Sequence, residues 1–301
     1  MGVALVALIG MAGCGGTTSS EHGGPEGPEG PEGPKGRLRG LTAAEEILVE
    51  RAENLLVKKC VEKAGFRFWV AEPESLASRK GSGFVLDDVG WAKKYGYGGQ
   101  FGRNAEEARS GGPNATYVNA LPDKERAHYR AVLDGTPSSG MLSVELPGGG
   151  TVRTPRDSCQ SRAKDQLYGD FATWFRVEKI ATNLTPLYVP DLAEDKRFTK
   201  ALAAWSLCME EKGRNYSDPF EIRTEVDRRT EGLSDAAAHA VEVEFAVDEA
   251  ECAKDASLAE TARALESEYR AKEARRYREE IAVFQRMRLT ALERAKAIAG
   301  V

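Results

Sequence analysis

The sequence predicts a mainly α-helical protein: a disulfide-stapled bundle of two related halves, with one small β-hairpin and a long C-terminal helix. Two stretches, Val57–Gly65 and Trp205–Gly213, each place a cysteine, an apolar residue and a glutamate at the same spacing before a glycine. That glycine is typical of a helix end. Each cysteine has a second one downstream, Cys159 and Cys252. Ser234–Ala299 contains neither Pro nor Gly, which favours long helices.

The N-terminus has the features of an export signal. Val3–Met11 is almost entirely apolar but too short to span a bilayer, and Met11-Ala12-Gly13-Cys14 follows. Small residues before a cysteine resemble the lipobox of bacterial lipoproteins, which implies that residues 1–13 are removed and that Cys14 receives lipid, palmitate included. The alternative is a plain secretory signal cut nearby. Both interpretations place the folded part on the extracytoplasmic side of the membrane, and the first anchors it to the bilayer through Cys14.

Residues 14–40 carry the run GPEGPEGPEGPKG, which is too rich in Pro, Gly and charge to bury a core. Its few triplets are too short for a collagen helix, so we expect an extended tether. About 26 residues at roughly 3 Å each would reach up to about 80 Å. We expect a first helical half with the hairpin over 41–184, and a second half with the long C-terminal helix over 185–301.

Five cysteines are an odd number for an exported protein. Lipidation of Cys14 leaves four, an even set in an oxidising compartment. The duplicated layout favours the pairs Cys60–Cys159 and Cys208–Cys252. A four-cysteine zinc site is the alternative, but structural zinc ligands come in closely spaced pairs and these cysteines do not. We therefore expect no metal and no cofactor.

Local patterns place the elements along the chain. Thr42-Ala43-Ala44-Glu45 is a capping box that opens the helix ending near Cys60, and Ser257–Glu260 reads as a second one. Met141–Thr154 alternates around Pro147–Gly150 and predicts the hairpin. Residues 71–120 are polar and broken by glycine, so we expect a long loop with one short helix over Asp88–Tyr95.

Glycines alternate with aromatic residues over Tyr95–Gly102. Such a loop can cradle phosphate, but the Lys-Ser/Thr ending and the preceding strand of a phosphate loop are absent. A glycan site is a second interpretation. The third is that the aromatic side chains simply pack down and hold a long loop.

The sequence favours a structural or interaction protein over an enzyme. Its formal charge of −5 argues against binding to nucleic acid. There are three histidines, no Gly-x-Ser-x-Gly elbow and no His-Glu-x-x-His motif. Carboxylates are plentiful, so a hydrolase pair stays open, but none stands out. A glycan- or solute-binding lipoprotein is the other alternative, although solute receptors usually alternate strands and helices.

The C-terminal helix is the candidate interaction surface. Arg270–Lys296 holds nine basic and four acidic residues, a local charge of +5 in a chain of −5. One hypothesis is that its apolar stripe packs on the protein's own body and the arginines face solvent. The sharper hypothesis is that only the earlier apolar stripe, Leu258 to Tyr269, packs on the body. The later stripe, Ile281 to Ile298, would then be a basic amphipathic surface for an anionic wall polymer, a lipid surface or a helix of an envelope protein. Its candidate residues are Arg275, Arg276, Arg278, Phe284, Arg286 and Arg288.

Taken together, the lipobox-like Cys14, the paired patterns around Cys60 and Cys208, and the segment LPGGG…DSCQSRAKDQLYG resemble a group of uncharacterised lipoproteins from high-GC Gram-positive, Streptomyces-like actinobacteria. The resemblance covers most of the chain. It implies an accessory component of the cell envelope and supplies no catalytic residue.

Overall fold

The computed structural model describes residues 32–33, 37–71, 74–81 and 83–300, and most of them are helical, which confirms the predicted fold class. In chain order the helices are α1 (Ala43–Lys63), α2 (Leu76–Lys80), α3 (Val89–Tyr95), α4 (Gly99–Gly111), α5 (Pro113–Ala120), α6 (Asp123–Asp134), α7 (Cys159–Tyr168), α8 (Phe171–Thr182), α9 (Val189–Glu194), α10 (Lys196–Glu211), α11 (Pro219–Thr230), α12 (Asp235–Asp255), α13 (Leu258–Ala274) and α14 (Arg278–Ala299). The strands are β1 (Glu32–Gly33), β2 (Arg37–Leu38), β3 (Met141–Glu145) and β4 (Thr151–Pro155).

The predicted hairpin is present as the antiparallel pair β3–β4. Val144 lies opposite Val152, and Leu142 and Val144 on alternate positions of β3 are buried against α8. Gly149 and Gly150 turn the chain with φ angles of +95° and +84°, a region that glycine enters without a steric cost. The backbone amide of Leu146 closes the turn on the carbonyl of Gly150 at 2.9 Å.

The two cysteine-bearing helix ends have the same hydrogen-bond pattern. At each end, the amide of the glycine bonds three residues back, and the amide after it bonds five residues back, as in a Schellman motif. In α1 these bonds are Gly65–Glu62 at 3.0 Å and Phe66–Val61 at 3.3 Å; in α10 they are Gly213–Glu210 at 2.8 Å and Arg214–Met209 at 2.8 Å. The apolar residue after each cysteine, Val61 or Met209, is fully buried.

The C-terminal helix returns to the first half of the chain. A 3₁₀ turn at Arg275–Tyr277 separates α13, which packs on α9 and α10, from α14, which packs on α1, α7 and α8. Val49 and Ala52 of α1 share a core with Leu292 and Ala295 of α14. A second core surrounds Trp205 and joins α10, α11, α12 and α13. The division of the chain into two halves after residue 184 stays a prediction. Helix α14 belongs to the second half in sequence but packs on helices of the first.

Two expectations about local structure were wrong. Residues 71–120 contain four helices, α2 to α5, where the glycines predicted mainly loop. The break before α13 lies at Ser257 as expected, but its side chain makes no capping bond there. Ser257 instead adopts a left-handed conformation with φ +51°. The Thr42 capping box is confirmed, with both of its reciprocal bonds.

Candidate functional site

The predicted lipidation site, Cys14, lies outside the described residues, as do the signal segment and most of the tether. Lipid attachment therefore stays a prediction. No helix in the part of the chain described here combines the length and the apolar character needed to cross a membrane.

The two predicted disulfides are present. Cys60 is joined to Cys159 with their Cα atoms 5.5 Å apart, and Cys208 is joined to Cys252 at 5.6 Å. Both bridges lie within the separations at which disulfides form without backbone distortion. Because all four thiols are in bridges, they are not available as a zinc site. Within the described ranges, no group of three or more His, Cys, Asp or Glu is placed to hold a metal ion.

Two of the six residues proposed for the basic surface are engaged within the chain. The ring of Phe284 stacks on Trp174 at 5.3 Å, and Trp174 in turn stacks on Tyr168 at 3.6 Å. Arg288 forms an ion pair with Glu46 at the start of α1, and its guanidinium also lies over the Phe284 ring. These contacts, together with the buried residues near the end of α14, seat the apolar stripe of this helix on α1 and α8.

The other four residues of the proposed surface are exposed. Arg276 lies 3.4 Å from Glu273, one turn earlier. Arg275, Arg278 and Arg286 have no carboxylate partner in the described part of the chain. The expectation that the later apolar stripe stays free of the body was wrong, because Phe284, Met287, Leu292 and Ala295 pack on it. A basic binding surface, which nothing in the structure tests, therefore depends on these exposed arginines alone.

A feature that the sequence analysis missed is a pair of buried carboxylates on α12. Glu242 is 4% exposed and Glu249 is fully buried. Seven residues separate them, which is about two helical turns and places both on one face. A charge inside a protein is costly unless it is paired and hydrogen-bonded, so each must have dedicated partners.

Glu249 has an arginine and a backbone amide as partners. The Arg223 guanidinium of α11 donates to one carboxylate oxygen at 2.5 Å and to the other at 3.4 Å, and the amide of Leu86 donates at 3.1 Å. Burial and the negative charge of Glu249 raise the pKa of Tyr97 well above its ordinary value, so the phenol stays protonated. Arg223 also donates to the carbonyl of Gly83, so α11 and the segment before α3 are fastened to α12.

The position of Glu242 explains why the glycine-aromatic loop, Tyr95–Gly102, is rich in glycine. The amide of Gly99, at the start of α4, donates to its carboxylate at 3.0 Å, and Arg103 donates at 3.1 Å. A Cβ on Gly96 would lie 2.5 Å from the Glu242 Cβ, and one on Gly99 would lie 2.3 Å from its Oε1. At position 96 glycine is required because the loop backbone touches the Cβ and the backbone of Glu242, and at position 99 it lets the backbone come close to the carboxylate. The loop therefore cradles a carboxylate of its own chain, as a helix N-terminus cradles an anion.

The aromatic residues of the same loop pack inward. The ring of Tyr95 contacts that of Phe101 at 5.2 Å and that of Trp91, in α3, at 5.4 Å, and the three rings pack with Ala246 and Ala250 of α12. This arrangement agrees with the packing interpretation of the loop. In the sequence, the sign that this loop packs on α12 was the position of Glu242 and Glu249 among apolar residues of that helix, and a motif search does not detect such a sign.

Two open grooves lie on the surface, and neither Glu242 nor Glu249 lines them. The first has a volume of about 500 Å³ and lies between the end of α1, α6 and the start of α7, with the Cys60–Cys159 bridge in its wall. The second, about 460 Å³, lies between Arg103 and the end of α11. His128 lines the first groove and stacks edge-on against Phe66 at 5.3 Å.

Comparison of the chain with family models, with curated proteins and with solved structures finds no match. The functional interpretation therefore depends on the sequence and the geometry described above.

Proposed function

We propose that the chain is an extracytoplasmic lipoprotein, anchored to the membrane through Cys14, that serves as a structural or interaction component of the cell envelope. The observation that carries the proposal is the pair of disulfides, since such bridges persist in oxidising compartments and are rare in the cytosol. With four cysteines in bridges, Cys14 is the one thiol left over, at the position that resembles a lipobox.

An interaction role fits the chemistry of the described residues better than catalysis does. The most deeply buried carboxylates, Glu242 and Glu249, are paired with arginines and fasten loops to α12. They line neither groove, so they are not placed to act on a bound molecule. The glycine-aromatic loop, which suggested a glycan site, uses its rings to cover α12.

Anchoring is tested by the substitution Cys14→Ser, in a bacterial host that exports and lipidates proteins. We expect the wild-type chain in the membrane fraction after a high-salt wash, and the variant in the medium. Incorporation of labelled palmitate should be seen in the wild type alone. A wild-type protein that is released unlabelled into the medium would instead indicate a plain secretory signal.

The surface that we propose for a partner is the exposed basic part of α14. Arg288 pairs with Glu46, while Arg294 donates to the carbonyl of Leu167 next to Tyr168, which itself bonds Glu53. These contacts hold α14 against α1 and α7. Helix α14 also contacts β2, where the tether joins the body.

This contact with β2 supports an anionic wall polymer as the partner, because the tether leaves the body beside the helix that carries the basic residues. Attraction between exposed charges is screened beyond about 8–10 Å at physiological ionic strength, so retention must weaken with salt. We expect the triple variant Arg275→Glu, Arg278→Glu, Arg286→Glu, made on the Cys14→Ser background, to lose its low-salt retention on purified cell walls.

The matched control reverses three exposed cations on other helices, namely Arg51, Lys124 and Lys200. Both triple variants change the net charge by the same amount. Equal loss of retention by the two variants would show that total charge, and not the α14 surface, governs the interaction. Retention of the α14 variant at the wild-type level would rule out the surface and leave the anchoring proposal intact.

A further inference from the structure

The two disulfides differ in how a reagent can reach them. Cys60 and Cys159 both lie in the wall of the groove of about 500 Å³, which is open to solvent. Cys252 is fully buried in the core around Trp205, and Cys208 is half-buried like Cys60, but neither Cys208 nor Cys252 lines either groove. A molecule with a free thiol can therefore approach the first bridge without any opening of the fold.

Within the first bridge the two sulfur-bearing residues are not equivalent. Cys60 is half-buried, whereas Cys159 is only 2% exposed. An attacking thiolate therefore reaches the sulfur of Cys60 first, and Cys159 is the leaving group. Thiol–disulfide exchange is faster when the leaving thiol forms a stable thiolate.

The position of Cys159 favours its departure as a thiolate. Cys159 is the first residue of α7, and the side chain of Ser158 caps this helix by accepting from the Ser161 amide at 2.9 Å. The positive end of a helix stabilises a thiolate placed there. Cys252 instead lies in the last turn of α12, where the carbonyl oxygens disfavour negative charge.

Cations in the groove add to this asymmetry. Lys63, three residues after Cys60, is exposed in the groove wall. Arg162 lies there too, but Asp157 holds it through two bonds of 2.6 and 2.7 Å. The lysine is therefore the group that attracts an incoming thiolate, which is itself an anion.

We propose that the Cys60–Cys159 disulfide is a thiol-exchange site, and that Cys208–Cys252, which lies in neither groove and has Cys252 in the last turn of a helix, is a structural bridge. A thiolate RS⁻ attacks the sulfur of Cys60, a new Cys60–S–S–R bond forms, the old bond breaks, and its electron pair stays on the sulfur of Cys159. A second thiolate attacks the sulfur of R and leaves both cysteines reduced and R in a disulfide, so the attacking thiols are the reductant. This inference goes beyond the proposed function and does not depend on the lipid anchor.

The test uses the whole folded chain without its lipid, as the Cys14→Ser protein, with either reduced glutathione or reduced thioredoxin as the thiol. Samples are quenched in acid, alkylated and mapped by mass spectrometry. We expect the first bridge to open at least about tenfold faster than the second. With glutathione, the mixed disulfide should form on Cys60. Reaction with both reagents indicates a site open to small thiols, and reaction with thioredoxin alone indicates a site that needs a protein dithiol.

Equal opening rates for the two bridges would overturn the proposal, and so would a mixed disulfide found mainly on Cys159. Repeating the reaction in urea below the unfolding transition separates attack in the groove from attack after unfolding, because only the second accelerates. A first bridge that opens only through such unfolding would also overturn the proposal.

The charge argument has its own matched pair of variants. Lys63→Glu should slow opening of the first bridge by about threefold at low salt and by less at high salt. Lys254→Glu reverses the exposed lysine two residues after Cys252 and should leave the opening rate of the first bridge unchanged. If the first bridge opens at the same rate in both variants, Lys63 does not attract the incoming thiolate.

Discussion

The two cysteine-bearing helix ends have one backbone geometry and two different surroundings. After Gly65 the chain continues with Phe66, whose ring packs on His128 and Tyr129. After Gly213 it continues with Arg214, which pairs with Glu244 and Asp248. The same motif thus fixes how each helix stops, while the residue that follows decides whether the chain packs through rings or through ion pairs.

The disulfide partners differ in the same way. Cys159 begins α7, whereas Cys252 lies in the last turn of α12. The first bridge therefore joins the C-terminal end of α1 to the N-terminal end of α7, and the second joins the C-terminal ends of α10 and α12. A shared sequence spacing around Cys60 and Cys208 does not imply that the halves superpose beyond these ends.

Removal of either bridge gives the largest expected effect and compares the halves directly. By the chain-entropy model, loops of 99 and 44 residues correspond to about 4.7 and about 4 kcal/mol of stabilisation. We expect Cys60→Ala/Cys159→Ala to lower the free energy of unfolding slightly more than Cys208→Ala/Cys252→Ala, measured by urea denaturation. A much larger loss for the second pair would show that burial of Cys252, and not loop length, governs its contribution.

Glu249→Ala should have the next largest effect. The substitution leaves Arg223 with no carboxylate partner, the Leu86 amide without its acceptor, and a cavity in the core. Breaking a buried ion pair by removing one partner costs about 3–5 kcal/mol. Because Arg223 keeps some contact with solvent, we expect a loss of about 3 kcal/mol in chemical denaturation.

The control for Glu249 is Glu251→Ala on the same helix. Glu251 is more exposed and pairs with Lys212 at the surface, where such pairs contribute about 0–1 kcal/mol. A Glu249 variant no less stable than this control would mean that the buried carboxylate does not hold the loop in place.

Gly65→Ala and Gly213→Ala test whether the helix ends are equivalent. Both glycines have positive φ, +91° and +75°, and a Cβ at either position would meet no other atom within 4 Å. The cost is therefore backbone strain alone, about 1 kcal/mol or slightly more in each half. A difference above about 0.5 kcal/mol in urea denaturation would contradict the equivalence of the two ends.

The helix ends were predictable because their signals are local. At each end, an apolar residue and a terminal glycine lie within six residues of the cysteine, and such a glycine is typical of a Schellman motif. The duplicated layout of the cysteines then favoured the disulfide pairing that the structure confirms. The hairpin and the Thr42 capping box are local in the same sense.

The helices of residues 71–120 were missed because their stability comes from distant contacts. α4 begins at Gly98 and Gly99, which are poor helix formers, and Glu242 some 140 residues later stabilises its first turn. The placement of α14 on α1 was likewise not readable, since its apolar stripe indicates burial but not the partner. Nothing in the spacing of Phe284 pointed to Trp174.

The smallest expected effect concerns the carboxylates at the starts of α1 and α10, which have different arginine partners. Glu45 closes the capping box of α1, and Arg39 binds its carboxylate through two bonds of 2.7 Å. Hydrogen bonding from Arg39 lowers the pKa of Glu45 from 4.5 to about 2. Helix α10 begins instead at Asp195, where Arg197 lowers the pKa of the carboxyl.

Because the pKa of Glu45 is depressed in the folded chain, its contribution is fully present above pH 4.5 and is lost as the pH falls from 4.5 to about 2. We expect Glu45→Gln to lower the free energy of unfolding by about 1 kcal/mol at pH 7, with the difference from wild type vanishing near pH 2. Urea denaturation at several pH values measures it. A difference that persists unchanged at pH 2 would show that the side chain acts through packing and not through its charge.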